Sequence, residues 1–177
     1  MGIIEKYAIR KLREMEAAIR RNPEIPNLET IKKVGVIWRP EQKEAYHFLQ
    51  NYFNKKQLIF RSLCVLDKPV GMMVEANTLS PKDINWLKFP KSGTIDGFTK
   101  MNFDLLLNIA LEQNITLDYL TLHTLARFKI GWSPVEKNYF DLNINISQNK
   151  NALYLAEQQI FYLGLLNKKK KINEPSV

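Results

Sequence analysis

Apolar residues recur at helical spacing from the start of the chain. Ile4, Ala8, Leu12, Met15 and Ile19 fall at steps of three and four, so the pattern predicts an amphipathic helix over 3–21. Lys6, Arg10, Arg13 and Arg20 keep the same period on the opposite face. Pro23 and Pro26 end this helix and mark a short linker. The spacing then shortens to strand-length runs. In 33–38, Val34, Val36 and Trp38 point one way and Ile37 the other. Pro40 suits the first turn of a helix reaching about Phe53, with Tyr46, Leu49 and Phe53 on its apolar face. Further strands are predicted over 58–66, 84–89, 103–110, 128–132 and 139–146, and helices over 117–127 and about 148–167. The unbroken apolar run 103–110 reads as a strand covered on both faces.

Strands alternating with helices predict an α/β fold: a three-layer, Rossmann-like domain with a mostly parallel sheet and an N-terminal amphipathic helical extension. The short link between Trp132 and Tyr139 leaves an antiparallel pairing of the last two strands open. The boundaries drawn are 1–30 for the extension and linker, 31–167 for the single α/β domain and 168–177 for a basic tail. The stripe on the first helix must be covered, either by the body of the chain or by a second copy, which makes a homo-oligomer one expectation.

Composition narrows the class. A length of 177 residues suits one domain with a proper core. No apolar stretch is long enough to span a bilayer, and integral membrane association is not expected. The N-terminus carries charges at every turn and no apolar h-region, so the chain is expected in the cytoplasm. The single cysteine, Cys64, excludes an internal disulfide and a cysteine-based zinc site, and its apolar run predicts a buried, inert thiol.

Charge is the most informative composition feature. The net charge is +8, yet it is concentrated at the ends. Residues 1–33 hold eight Lys/Arg against five Asp/Glu, while Lys168, Lys169, Lys170 and Lys171 face Glu174 alone. A nearly neutral body with two basic ends points to an anionic partner. The anion-binding residues expected from this pattern are Lys6, Arg10, Arg13, Arg20 and Lys168 to Lys171. Their other roles are ion pairing with Glu5, Glu14 and Glu16, complementing the last helix's dipole, or forming a solubilising tail.

The residues that carry catalysis are not evident. After the first strand stands Trp38-Arg39-Pro40-Glu41-Gln42, which holds no glycine and lacks one backbone N–H at Pro40, so neither a P-loop nor a dinucleotide fingerprint is present. His47 and His123 sit on predicted helices; Lys43 and Glu44 lie near the first, as on a solvated face, and Tyr119 and Arg127 stand one turn from the second, so structural or surface roles are expected for both. No metal site and no cofactor is predicted. Asp67 and Asn108 lie near strand ends, where α/β sheets bind ligands, and are the ligand-pocket candidates; caps and turns are their alternative roles. Lys91-Ser92-Gly93-Thr94 and Gly71-Met72-Met73 mark loops, the former with the ingredients of a small anion-binding turn.

Two resemblances add to this reading. Asp83-Ile84-Asn85-Trp86, Pro90-Lys91-Ser92-Gly93, Phe103-Asp104-Leu105-Leu106-Leu107-Asn108, Ala126-Arg127-Phe128-Lys129-Ile130-Gly131 and Tyr139-Phe140-Asp141-Leu142 make the stretch 80–146 resemble a small family of unknown function from Bacteroidota. The family implies support for the fold and no activity. Phe103-Asp104-Leu105 followed by Leu125-Ala126-Arg127-Phe128-Lys129-Ile130-Gly131 is also similar to the acceptor half of heptosyltransferase-like glycosyltransferases. Those enzymes use a second Rossmann-like half for the sugar nucleotide, so this likeness implies topology rather than catalysis.

The function expected from all this is non-enzymatic: an α/β domain docking on an anionic macromolecule, RNA or a ribonucleoprotein, through basic terminal segments. The alternative is a small-molecule domain or enzyme, for a nucleotide or nucleotide sugar, related to a glycosyltransferase half. Peripheral membrane attachment through the first helix is a third reading, opposed by its glutamates and its lack of tryptophan.

Overall fold

A computed structural model describes residues 2–68 and 77–173, with the side chains of 169–173 excepted. Gly71-Met72-Met73 and the side chains of Lys169, Lys170 and Lys171 therefore lie outside the described residues. The chain begins with α1 (Ile3–Ala18), then β1 (Lys33–Trp38), α2 (Lys43–Asn54), β2 (Ile59–Val65) and β3 (Asn77–Leu79). It continues through α3 (Asp96–Thr99), β4 (Phe103–Asn108), α4 (Ile115–His123), β5 (Ala126–Gly131), β6 (Leu142–Asn143) and α5 (Ala152–Asn173).

The strands form one six-stranded sheet in the order β3-β2-β1-β4-β5-β6, and every pairing is parallel. This is the order of doubly wound Rossmann sheets, in which growth of the sheet reverses direction between β1 and β4. β1 and β4 are central and covered on both faces, which is why they read as near-continuous apolar runs. One face packs Val36, Leu105, Leu107, Phe128 and Ile130 against Leu49 and Phe53 of α2 and Leu155 and Leu163 of α5. The other packs Ile37, Leu63 and Leu106 against Phe98 of α3 and Leu117 and Leu120 of α4. Gly35 of β1 keeps this second face tight, because a Cβ there would stand 3.0 Å from the Phe103 ring.

α1 forms a further layer outside α4. Ala8 and Leu12 are fully buried and cluster with Leu122 and Phe89, with Met15 and Ile19 alongside. The predicted stripe is thus covered within the chain. Its first member is the exception: Ile4 stays 54% exposed at the free end of the helix.

Two local readings are corrected, and the pairing left open for the last two strands is parallel. The stretch 84–89 is not a strand; it is a turn closed by an antiparallel bridge between Ile84 and Pro90, and the third strand lies earlier, at β3. The Asn85 side chain accepts from the backbone N–H groups of Leu87 and Phe89, which draws an apolar run into a turn. The strand expected over 139–146 shrinks to β6, and it pairs with β5 in parallel, joined by a loop instead of a hairpin.

That loop is set by a glycine. At Gly131 a Cβ would fall 2.3 Å from the Phe140 ring, closer than any side chain tolerates. Gly131→Ala should therefore displace Phe140 and cost about 1–3 kcal/mol. A melting temperature lower by about 2–4 °C per kcal/mol is the expected readout. Leu12→Ala, which empties the buried centre of the α1–α4 contact, should cost about 2–5 kcal/mol in denaturant unfolding. An unchanged unfolding midpoint would show that α1 is not held by this packing.

Candidate functional site

The sheet has two working edges, and each carries a concavity. At the carboxyl edge, the segments following β2, β3 and β4 converge on a cleft of about 750 Å³. Leu66 and Asp67, then Ile84, Asn85, Trp86 and Lys88, then Asn114, Ile115 and Thr116 line it, and Gly2, Ile4 and Glu5 of the α1 end close one side. At the amino edge, a groove of about 630 Å³ is lined by Arg20, Arg21, Lys32, Lys33 and Arg127 together with Asp104.

The turn after β1 is filled by its own side chains. The Arg39 N–H donates to Gln42 Oε1 at 2.7 Å, and the Arg39 guanidinium donates to Asp67. The Arg39 N–H, which a glycine turn would leave open to a phosphate, is thus already satisfied within the chain. Asp67 lines the carboxyl-edge cleft with its side chain 55% exposed. Asn108 does not line it. It is fully buried, donating from Nδ2 to Gln113 Oε1 and Thr121 Oγ1 and accepting at Oδ1 from the Ala110 N–H. The structure brings the two ligand-pocket candidates to the same edge but gives them different surroundings.

The basic residues divide among three places. Lys6, Arg10 and Arg13 are exposed on α1, where Arg10 pairs with Glu14 at 3.5 Å. Arg20 lies past the end of that helix, in the amino-edge groove. Lys168 is exposed near the end of α5, one residue after Asn167, whose side chain accepts from the Leu28 N–H and donates to the Pro26 carbonyl. The last helix is thereby tied to the linker that leads into Lys32 and Lys33.

The sequence reading missed Lys32, Lys33 and Arg127 as groove residues. Asp104 gathers them: its Oδ2 accepts from the backbone N–H groups of Lys32 and Lys33, and its Oδ1 stands 3.9 Å from Arg127 Nε. Arg20, Lys32 and Lys33 form no ion pair among the described residues. Arg21, by contrast, is committed. It makes a two-pronged contact with Asp141 at 2.8 and 2.7 Å, and Asp141 also accepts from the Lys129 N–H.

Lys129 is the most unusual charge in the molecule, at 1% exposure. Its ammonium donates to the carbonyls of Thr121 and Leu122, the open end of α4. A lysine between Phe128 and Ile130 in a central run was the one sequence signal that could have exposed this arrangement. Burial, with Arg21 adding repulsion, pushes its pKa down to about 7, against the pull of Asp141.

Other titratable groups have structural surroundings. Burial, with Glu41 nearby, pushes the Cys64 thiol up to about 12 and so keeps it from acting as a thiolate. His123 stacks on Tyr119 with centroids 4.2 Å apart and has Met15 Sδ 3.3 Å from Nε2; burial holds its pKa below the usual value. His47 lies on the opposite face of the sheet, beside Gln50. Lys91-Ser92-Gly93-Thr94 is a turn, with Gly93 at φ +82° and Lys91 donating to the Lys82 carbonyl. Among the described residues no three His, Cys, Asp or Glu side chains gather as a metal site, and no helix is long and apolar enough to cross a membrane.

Lys129 gives a pH signature. Its folded pKa near 7 lies below the ordinary lysine value of 10.5, so between these values the unfolded chain holds a proton that the folded chain has released. Stability should then rise as pH increases across this window. Melting curves from pH 7 to 10 should climb for the wild type relative to Lys129→Met; parallel curves would show that Lys129 stays charged in the fold.

No curated protein and no solved structure matches the chain. A family model does, over residues 3–166, from the first residue of α1 to within α5. Apart from Gly2 at the rim of the carboxyl-edge cleft, the residues of the two concavities, the buried Lys129 and the filled β1 turn lie inside that span, and the chain belongs to DUF6913, a family of unknown function.

Proposed function

We propose that this protein docks on an anionic macromolecule, RNA or a ribonucleoprotein, and that the amino-edge groove is the docking surface. The observation that carries the reading is the gathering of Arg20, Lys32, Lys33 and Arg127 on one concave surface, the first three without a carboxylate partner among the described residues. They come from the end of α1, the approach to β1 and the start of β5, and their convergence supports a use for positive charge in one place. The anchoring of Asn167 on the linker supports the recruitment of Lys168 to the same edge. Lys6, Arg10 and Arg13 extend the positive surface along α1 in this reading. Phosphate contacts of this kind position a partner and read little sequence. On this reading the compartment is the cytoplasm.

The test is binding of a labelled ~20-nucleotide single strand, followed by anisotropy from ~50 to ~200 mM salt. With about four phosphates engaged, log affinity should fall against log salt with a slope near −2.8. The triple variant Arg20→Gln, Lys32→Gln, Lys33→Gln should flatten this slope by about 2 and weaken binding equally across sequences. Its melting temperature should stay close to wild type, because the N–H groups that bind Asp104 remain. Absence of binding at ~50 mM salt, or full binding by the variant, would overturn the proposal.

A further inference from the structure

The carboxyl-edge cleft lies on the opposite side of the sheet from the groove and has its own chemistry. We propose that it is a binding site for a nucleoside phosphate, with Trp86 receiving the base, Asp67 the sugar hydroxyls and Lys88 the phosphate. This inference is independent of the docking surface.

The cleft has the size and place such a ligand needs. At about 750 Å³ it falls in the range of small-molecule sites, and it opens beyond the carboxyl ends of the strands of a doubly wound sheet. The lining supplies three kinds of contact. Trp86 is 67% exposed, whereas Trp38 and Trp132 are buried at 3% and 4%. An indole exposed to this extent on the wall of a cleft is a stacking platform, and the turn that carries it is fixed: the Asn85 side chain accepts from the N–H groups of Leu87 and Phe89. Its ring lies at 14° to that of Tyr7, with centroids 6.2 Å apart, which braces it from α1.

Lys88 is the single non-glycine residue with positive φ among the described residues, at +65°. The left-handed region is disfavoured for a residue that carries a side chain. The conformation is fixed by the Thr116 hydroxyl, which donates to the Lys88 carbonyl at 2.7 Å. A glycine would adopt this backbone freely, so the turn alone does not explain a lysine; a use for its ammonium in the cleft does. Asp67 completes the set. Its Oδ2 is engaged by Arg39, which fixes the carboxylate and leaves Oδ1 without a partner among the described residues to accept hydroxyl donors. An acidic side chain beyond the second strand is the usual ribose ligand of such sheets, and here it stands without the glycine turn that would hold a pyrophosphate, which favours a mononucleotide over a dinucleotide.

Trp86 also provides the readout, since it is the exposed tryptophan. Fluorescence of the full-length chain is titrated with adenosine and uridine 5′-monophosphates, with adenosine and with ribose 5-phosphate. The nucleotides should quench emission saturably, adenosine should bind about tenfold or more weakly, and ribose 5-phosphate should compete without quenching. Trp86→Phe should abolish the quench. Lys88→Gly should weaken the nucleotide about tenfold while leaving adenosine binding and the melting temperature about unchanged, because relief of the left-handed backbone offsets the added freedom of the unfolded chain. Retention of the quench by the Arg20, Lys32 and Lys33 triple variant separates this site from the groove. No quench up to millimolar nucleotide, a quench surviving in Trp86→Phe, loss of the quench in the triple variant, or equal binding of nucleotide by wild type and Lys88→Gly would each overturn the proposal.

Discussion

Asn108 stands at the end of β4, beside the place where the sheet changes its direction of growth, and its side chain and carbonyl tie four segments together. Nδ2 reaches Thr121 in α4 and Gln113 in the loop between them, Oδ1 holds the Ala110 N–H, and the backbone carbonyl accepts from Gln159 of α5. Gln113 in turn donates to the carbonyl of Trp132 beyond β5. Both helical layers and two strand ends are thus referenced to one buried amide. A parallel sheet leaves its strand ends as open peptide groups, and a fully buried site must satisfy each of them within the protein. This network does so for β4, and the position of α4 follows from it.

The position of α4 then fixes both edges. Its first residues, Ile115 and Thr116, wall the carboxyl-edge cleft, and its last turn reaches the amino-edge groove through Leu122 and His123. α1 lies along it in the same direction, with Ile4 and Glu5 at the cleft and Ile19 and Arg20 at the groove. The buried ammonium of Lys129 caps the carbonyl end of α4, while Arg21 and Asp141 stitch the exit of α1 to the strand that carries Lys129. Electrostatics inside the domain and at its surface are therefore parts of one arrangement: Arg21 is held by Asp141, and its neighbour Arg20 has no ion pair among the described residues.

The β1 turn shows how the fold can keep a Rossmann strand order without the Rossmann phosphate loop. Pro40 opens a 3-10 turn, Gln42 covers the Arg39 N–H, and Arg39 crosses to Asp67. The Arg39 N–H, which a glycine turn would leave open to a pyrophosphate, is taken by Gln42. The open volume lies instead between the ends of β2, β3 and β4, bounded by the Asn85–Lys88 turn.

The sequence by itself determined the α/β class, the parallel sheet, the amphipathic first helix and the burial of Cys64, because these depend on periodicity and on apolar runs that any neighbours must cover. It misjudged the stretch 84–89, where side-chain bonds from Asn85 outweigh apolar content, and it overextended the last strand, which Gly131 and Phe140 shape through a single close contact. Asp67 was legible as a residue at a strand end. Its company was not: Trp86, Lys88 and Thr116 reach the cleft from separate segments, and Lys32, Lys33 and Arg127 meet because β4, which carries Asp104, lies between β1 and β5 in the folded sheet. Charge can be counted along a chain, but a site is a convergence in space, and convergence is decided by strand order and by the buried amide that sets where α4 lies.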